Sequence, residues 1–415
     1  MRLKSRVYIT EAGAVSAAGN GAEEFFRTLS SCKSGIGMLK RAATDKLRTK
    51  IGGECRLETL IESLGFDTLD SPPLAESLAL YDNPKLLFAL NCIKQIFDSG
   101  AFNNINARNV KLFTGAGLEE IKVSALMEPP ESGACVCREP PAAFLAEILS
   151  RFFKFGVPPA TMVSACSAST MAIGEAYRNI KSGALDFAVA GGTDSMLSDF
   201  AVNAFNSIGA LSEDNSAPGK SIRPFDKSRS GTVLGEGAAY FLIESERGLK
   251  ISGNLPVAEI AGYASSLDAY NPVQPDPGGL GAALAMAGAL KDAGMTPEEI
   301  DYINAHGTAT AHNDAAETAA IKKVFLQAAR SVKVGSTKPY FGHLVSAAGA
   351  IEILSVLYAF QNGCPPTLNF THPGEGCDLD YARESDTKKS VRAALKNSFG
   401  LNGQNASIIL KKTNG

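Results

Sequence analysis

Histidine is scarce in this chain: His306, His312, His343 and His372 are the only four among 415 residues. Each can therefore be weighed by itself. Cysteine is present but not organised. Of eight, only Cys135 and Cys137 are close together, and C-x-C lacks the C-x2-C spacing of zinc sites. A disulfide framework is not expected, and a reducing compartment is. An excess of either charge is missing as well. Forty Lys and Arg against 43 Asp and Glu leave a net charge of −3, so nothing points to nucleic acid or acidic lipid as a partner. No stretch reaches ~18 uncharged apolar residues, which argues against insertion in a membrane. The first residues start basic, but Glu11 and the glycines interrupt any apolar signal core, and Val7–Thr10 reads as a strand. The expectation is a cytoplasmic protein.

What is present is ordinary globular composition. Hydrophobic residues at 45% and charged residues at 20% exclude wholesale disorder. A chain this long buries a large core without staples, and its length fits two or three domains or one duplicated fold. Strand-like and helix-like segments alternate from end to end, the pattern of an α/β protein. Glycines gather at strand–helix junctions, among them Gly115, Gly117, Gly191, Gly192, Gly307, Gly342, Gly400 and Gly403. There the backbone can approach a ligand closely.

The chain also repeats itself. Residues 160–164 read as a strand, followed by a turn at Ala165–Cys166 and a small-residue helix over about 167–181, stopped by Gly183. Residues 331–336 read as a strand, followed by a turn holding Lys338 and His343 and a helix over 345–360, stopped by Gly363. Arg6–Gly13 and Pro256–Gly262 make a second matching pair. The repeat divides the chain into halves 1–255 and 256–415. Segments 43–80 and 119–145 read as excursions from the core, and Pro272–Gly281 as a turn-rich loop before a helix.

Cys166 carries the first candidate chemistry. Its small neighbours Ser164, Ala165, Ser167 and Ala168 allow a sharp strand-to-helix turn of the nucleophile-elbow kind. A thiol at a helix N-terminus is favoured as thiolate; the plainer alternative is a buried cysteine packing as a small hydrophobe. His306 follows the strand 301–304 in a Gly turn that also holds Thr308 and Thr310. His343 lies in a second such turn with Lys338. Ligands gather beyond the carboxyl ends of strands in open α/β sheets, which brings Cys166, His306 and His343 together. Cys with two His would also suit zinc, but no short-spaced ligand pair accompanies them. The Gly-rich loop Asn397–Asn405, before the strand 406–410, could offer backbone N–H groups to an oxyanion.

With these motifs the chain resembles, essentially end to end, the β-ketoacyl-acyl-carrier-protein synthases of types I and II. These are decarboxylating condensing enzymes of the thiolase superfamily. The resemblance is carried by Glu11–Gly19, Val163–Ser169, Ala190–Asp194, Arg223–Asp226, Gly235–Ala238, Asn304–Thr308, Ser336–Lys338 with Gly342–His343, and Asn397–Gly400. It implies a thiolase fold: duplicated α/β halves in a five-layered αβαβα architecture, with the site between them. It implies Cys166 as the nucleophile that takes an acyl chain, and His306 and His343 as the groups that bind the malonyl thioester and stabilise the enolate left by loss of CO₂. The N–H groups of Cys166 and Leu401 would form the oxyanion hole, with Phe399, Gly400 and Leu401 as the gating loop. Lys338, with Glu317 as its partner, would organise the site. Thr308 and Thr310 would lie near the malonyl thioester and its pantetheine arm, and Leu118, Phe205 and Leu401 would bound the acyl chain.

The resemblance further implies no cofactor and no catalytic metal, since the substrates ride on the phosphopantetheine of an acyl-carrier protein. A monovalent cation near Asn304, Glu352 and Asn397 would be structural. A homodimer is expected, with a heterodimer as the alternative and the strand before Cys166 near the interface. The loop Phe399–Asn405 lacks the second cysteine of degradative thiolases, and His343 stands where initiating type III synthases carry Asn. Cys166 is present where chain-length factors lack it. The reading is therefore an elongating synthase of fatty-acid or specialised, polyketide-like biosynthesis. Two rivals are a non-condensing heterodimer partner and a Cys166-dependent acyltransferase that does not decarboxylate. Leu401 and Asn402 replace an aromatic residue and a glycine of the type II gate. Gly209 stands where the bacterial enzyme has a carrier-docking arginine, and Glu119–Glu120 where it has two glycines. These departures point to a pathway-specific enzyme for unusual acyl chains.

Overall fold

The computed structural model describes residues 5–64, 78, 83–117, 142–388 and 390–413. Most of the excursion at 119–145 and part of that at 43–80 lie outside these residues. Among the described residues, one sheet runs through ten strands: β1 (Val7–Ser16), β2 (Val110–Ala116), β3 (Val157–Met162), β4 (Phe187–Ser195), β5 (Glu236–Ser245), β6 (Ala258–Leu267), β7 (Tyr302–Asn304), β8 (Lys333–Gly335), β9 (Ala393–Phe399) and β10 (Gln404–Lys412). Their order across the sheet is β8-β7-β9-β10-β6-β1-β5-β4-β2-β3, and a two-residue strand, Gly19–Asn20, pairs with β1.

This order is one pattern written twice. Counted within each set of five, β1–β5 and β6–β10 both run 3-2-4-5-1 from the outer edge to the centre. The pairings repeat too. β2 is parallel to β3 and β4, as β7 is to β8 and β9, while the other two pairings in each set are antiparallel. The sets meet only where Val7–Ile9 pairs with Ala258–Ile260, so the sheet behaves as two layers hinged along β1 and β6.

Helices fill the layers between and outside. α1 (Lys85–Asp98) and α2 (Ala142–Phe152) cover the outer face of the first set; α5 (Leu280–Ala293) and α6 (Ala311–Phe325) cover that of the second. α3 (Ala168–Lys181) and α7 (Ala348–Asn362) touch each other and strands of both sets. The result is helix, sheet, helix, sheet, helix, the duplicated five-layered architecture that the resemblance implies. α7 is buried at every position from Ala348 to Phe360. A helix clasped between two sheets has no wet face, which is why its sequence shows no polar stripe. The two central helices approach so closely that a Cβ on Gly349 would lie 2.0 Å from Thr170 Oγ1 and 2.9 Å from Thr170 N.

The strand boundaries read from sequence shift by a few residues. The strand before Cys166 is Val157–Met162, not 160–164, and α3 begins one residue late, after a 3-10 turn at Ala165–Ser167. α7 likewise starts after a 3-10 turn at Val345–Ala347 and runs on to Asn362. The cause is the same in both halves. Ala165 and Val345 have φ of 46° and 44°, and a left-handed residue cannot belong to the helix that follows. The turns correspond residue for residue, with Ser346 in the place of Cys166.

Candidate active site

Cys166, His306, His343 and the loop after β9 all lie just beyond the carboxyl ends of strands, facing one another across the central layer. The turn at Ala165 tips Cys166 toward the site. It is locked by Ser167, whose N–H and Oγ both donate to Ser164 O, at 3.1 and 2.8 Å. The loop after β9 can lie against this turn because Gly400 has no side chain: a Cβ there would come within 3.0 Å of Ser164 O and 3.3 Å of Cys166 N. That approach directs the Leu401 N–H at the Cys166 sulfur. Asn402, the residue in place of a glycine, has φ 65° and donates its N–H to Pro272 O. Asn tolerates the left-handed region better than most residues, so the loop keeps a glycine-like path.

The His306 turn is buttressed from α6. Glu317 accepts the backbone N–H groups of His306 and Gly307, each at 2.9 Å, and Asn397 Nδ2 at 3.1 Å. Burial pushes this carboxyl up to about 7, against the pull of those donors. Glu317 is therefore not the partner of Lys338, as the resemblance had suggested. Lys338 opens a one-turn helix, Lys338–Phe341, and reaches down to α7, where its ammonium pairs with Glu352. It also donates to His306 O at 2.5 Å and lies 3.4 Å from His306 Nδ1. A signal for Glu352 was available, since it is the one charged residue between Val345 and Phe360.

Hydrogen bonding settles both imidazole tautomers. His343 Nδ1 accepts the N–H of Val345 at 3.2 Å. His306 Nδ1 faces the Lys338 ammonium, which can only donate. Both Nδ1 atoms are thus lone-pair acceptors, and both rings carry their proton on Nε2. Burial, then the Lys338 charge, holds each histidine well below its usual pKa; Lys396 and, for His306, His343 act in the same direction. Both rings are neutral at physiological pH. They stand edge to face with centroids 5.2 Å apart, and Phe399 lies 5.8 Å from the His306 ring.

One donor atom from each of Cys166, His306 and His343 falls within 4.8 Å of the others. A zinc ion would need unprotonated ring nitrogens whose opposite N–H is held by an acceptor. The tautomers here are the reverse, so the set suits two N–H donors facing a thiol and not a metal.

The thiol itself departs from expectation. Burial pushes Cys166 up to about 11, with Lys338 and the Leu401 N–H pulling only partly the other way. A helix terminus contributes about 0.3–1 kcal/mol, under one pKa unit. That is too little to offset the loss of water, so the resting group is the thiol and not the thiolate.

The remaining expected residues are placed as follows. Thr308 and Thr310 follow His306, with their hydroxyls 2.8 Å apart. Phe205, half-buried on α4 (Asp199–Ser207), packs against an apolar cluster that contains Cys166, Leu197, Val202 and Leu211. Leu118 lies outside the described residues. Two charged residues were not foreseen. Asp194, buried at the end of β4, accepts the N–H of Ser346 at 2.8 Å and so ties down the turn that mirrors Cys166. Lys396 lies buried on β9 beside Glu352.

The chain is similar to known proteins along its length. Residues 4–248 match the family "Beta-ketoacyl synthase, N-terminal domain" and residues 257–371 match "Beta-ketoacyl synthase, C-terminal domain". It is 35% identical over 421 residues to a 3-oxoacyl-[acyl-carrier-protein] synthase 2 of Coxiella burnetii, covering 99% of each chain. A solved β-ketoacyl synthase from Burkholderia phymatum superposes with a TM-score of 0.87 at 28% identity, over 99% of this chain and all of that one. A chain of AntDE:AntF, a type II PKS acyl-carrier protein in complex with its ketosynthase bound to the hexaketide, gives 0.84 at 25% identity, over 99% and 100%. Both halves of the fold are matched in order, and the chain belongs to the β-ketoacyl synthase family.

Proposed function

We propose that this chain lengthens acyl thioesters by two carbons through decarboxylating condensation with a malonyl thioester, both carried on an acyl-carrier protein. The observation that carries the reading is the pair of buried imidazoles, each with a ring nitrogen within 4.8 Å of the Cys166 sulfur and its Nδ1 engaged by Val345 N–H or Lys338.

In the first half-reaction Cys166 sulfur bonds to the acyl carbonyl carbon, the old thioester bond breaks, and the thiol proton leaves with the carrier thiol. The tetrahedral oxyanion sits between the N–H groups of Cys166 and Leu401. In the second, the malonyl C–C bond breaks and CO₂ departs. Its electron pair becomes an enolate whose oxygen accepts both Nε2–H bonds. Neutral donors suit this step, because they hold the negative oxygen without surrendering a proton to it. The enolate carbon then bonds to the acyl carbonyl carbon, the bond to Cys166 breaks, and the sulfur regains a proton.

The apolar wall of Leu197, Val202, Phe205 and Leu211 beside the sulfur suits an alkyl chain. Leu401 at the mouth is a smaller gate than an aromatic ring, which favours substrates other than ordinary saturated chains. The protein acts as a homodimer joined along β3, the edge strand of the sheet beside Cys166 among the described residues. β3 is at least partly exposed at every position and is followed by Val163, which is half exposed.

Intact-mass spectrometry after incubation with a panel of acyl-carrier thioesters tests the reaction. An adduct on Cys166, discharged by malonyl-carrier protein as a product two carbons longer, is expected. Discharge without loss of CO₂, or turnover with no malonyl thioester present, would overturn it.

A further inference from the structure

β9 is buried along its whole length, yet it carries a lysine. Lys396 is fully buried, and its ammonium donates to Asn397 O and Ser398 Oγ. It also pairs with Glu352 Oε2 at 2.7 Å. The other oxygen of Glu352 takes Lys338. Burial pulls Lys396 down to about 8 while Glu352 holds it up, so the group stays mostly protonated at neutral pH and two buried lysines share one buried carboxylate behind the His306 turn.

This is the place where the resemblance implies a monovalent metal ion, near Asn304, Glu352 and Asn397. The residues present do not fit one. Two of the available oxygens, Glu352 Oε2 and Asn397 O, already serve the Lys396 ammonium. The third belongs to Asn304, which pairs in register with Lys396 across β7 and β9 and whose Oδ1 is buried without a hydrogen-bond partner. One amide oxygen does not make a cation site. A metal ion would also bring a third positive charge against a single carboxylate, and such repulsion is poorly screened in the interior.

We propose that Lys396 is a resident cation that replaces this metal ion and, through Glu352, positions Lys338 behind the two histidines. The chain carries covalently a charge that would otherwise be taken from solution. With Glu352 anchored on one side by Lys396, Lys338 is held against His306 O and Nδ1, and that contact puts the His306 proton on Nε2. The signal in the sequence is a lone lysine inside Ala393–Phe399, a run that otherwise reads as a buried strand.

The test is cation-dependent melting, which does not rely on the condensing reaction. The unmodified protein is melted at equal ionic strength in chloride salts of potassium, sodium and choline, and its midpoint is expected to be the same in all three. Lys396→Ser removes the ammonium and leaves room beside Glu352. It is expected to melt lower in choline and to recover, saturably, in potassium or sodium. In the same variant, decarboxylation of malonyl-carrier protein should fall roughly ten- to a hundredfold in choline, as when an outer partner of a reactive group is lost. Acyl loading of Cys166 should change much less, and the small ion should restore decarboxylation.

An unmodified protein that itself needs potassium or sodium would overturn the proposal. So would a rubidium or thallium anomalous peak beside Glu352 in crystals of the unmodified protein, or a Lys396→Ser variant indifferent to cation. If that variant does not fold, the melts and crystals of the unmodified protein still decide.

Discussion

At the scale of single residues, the site works by the choice of protonation state. Cys166 at about 11 means that its thiolate population climbs about tenfold per pH unit through the neutral and mildly alkaline range. Alkylation of Cys166 by iodoacetamide, followed by peptide mass spectrometry, should therefore still be rising at pH ~9. A plateau near pH ~8 would mean that the turn lowers the thiol after all. The two glutamates separate by the same reasoning. Glu352 is shared by two buried lysines, and Glu352→Gln should cost about 3–5 kcal/mol by leaving them uncompensated. Glu317, pushed up to about 7, is already part neutral near physiological pH, and Gln keeps an acceptor for the His306 and Gly307 amides. Glu317→Gln should cost about 1 kcal/mol and keep acyl loading. Chemical denaturation of both variants checks the order.

Which residues could be found beforehand follows from their surroundings. Cys166 and the two histidines stood out because histidine is rare and each sits in a turn of small residues. Their tautomers did not, since those depend on Val345 N–H and Lys338, one a backbone group and the other brought in by a turn after a different strand. The Lys338–Glu352 pair joins a one-turn helix to the second turn of α7, and no local spacing reveals it.

At the scale of elements, the two left-handed turns do the positioning. Each strand-to-helix junction is given its direction by one residue of positive φ, and each central helix leaves its N-terminus at the site. The alternation of strand and helix, and the repeat itself, could be read from periodicity and punctuation. The boundaries could not, because a 3-10 turn and an α-helix share the same small residues. Gly349 shows how tightly the elements are set. Gly349→Ala would drive α7 against Thr170 of α3. It should cost at least about 1–3 kcal/mol, seen as a lower denaturation midpoint with an unchanged slope. Acyl loading should fall with it, because the Cys166 turn leads directly into α3.

At the scale of the whole molecule, β3 is the edge strand beside Cys166 among the described residues. The protein should run as a dimer by light scattering at micromolar concentration. Val163→Asp should shift it to monomer without lowering the monomer's own stability by more than about 0.5 kcal/mol, since the side chain is half exposed. An unmodified protein that is monomeric under those conditions would remove the interface.

The repeated strand order has a consequence of its own. Neither half can stand alone, because α3 and α7 each need both sheets to stay dry. Two identical halves meeting about a twofold axis would present two equal seats, Cys166 opposite Cys166, with the same residues behind each. Joined in one chain, the halves are freed from that symmetry. One seat keeps its sulfur while its counterpart, Ser346, becomes a strut held by Asp194. The strands of the second half can then supply both histidines to a single centre. The asymmetry that lets one cysteine meet two histidines is thus something no pair of separate, identical chains could build.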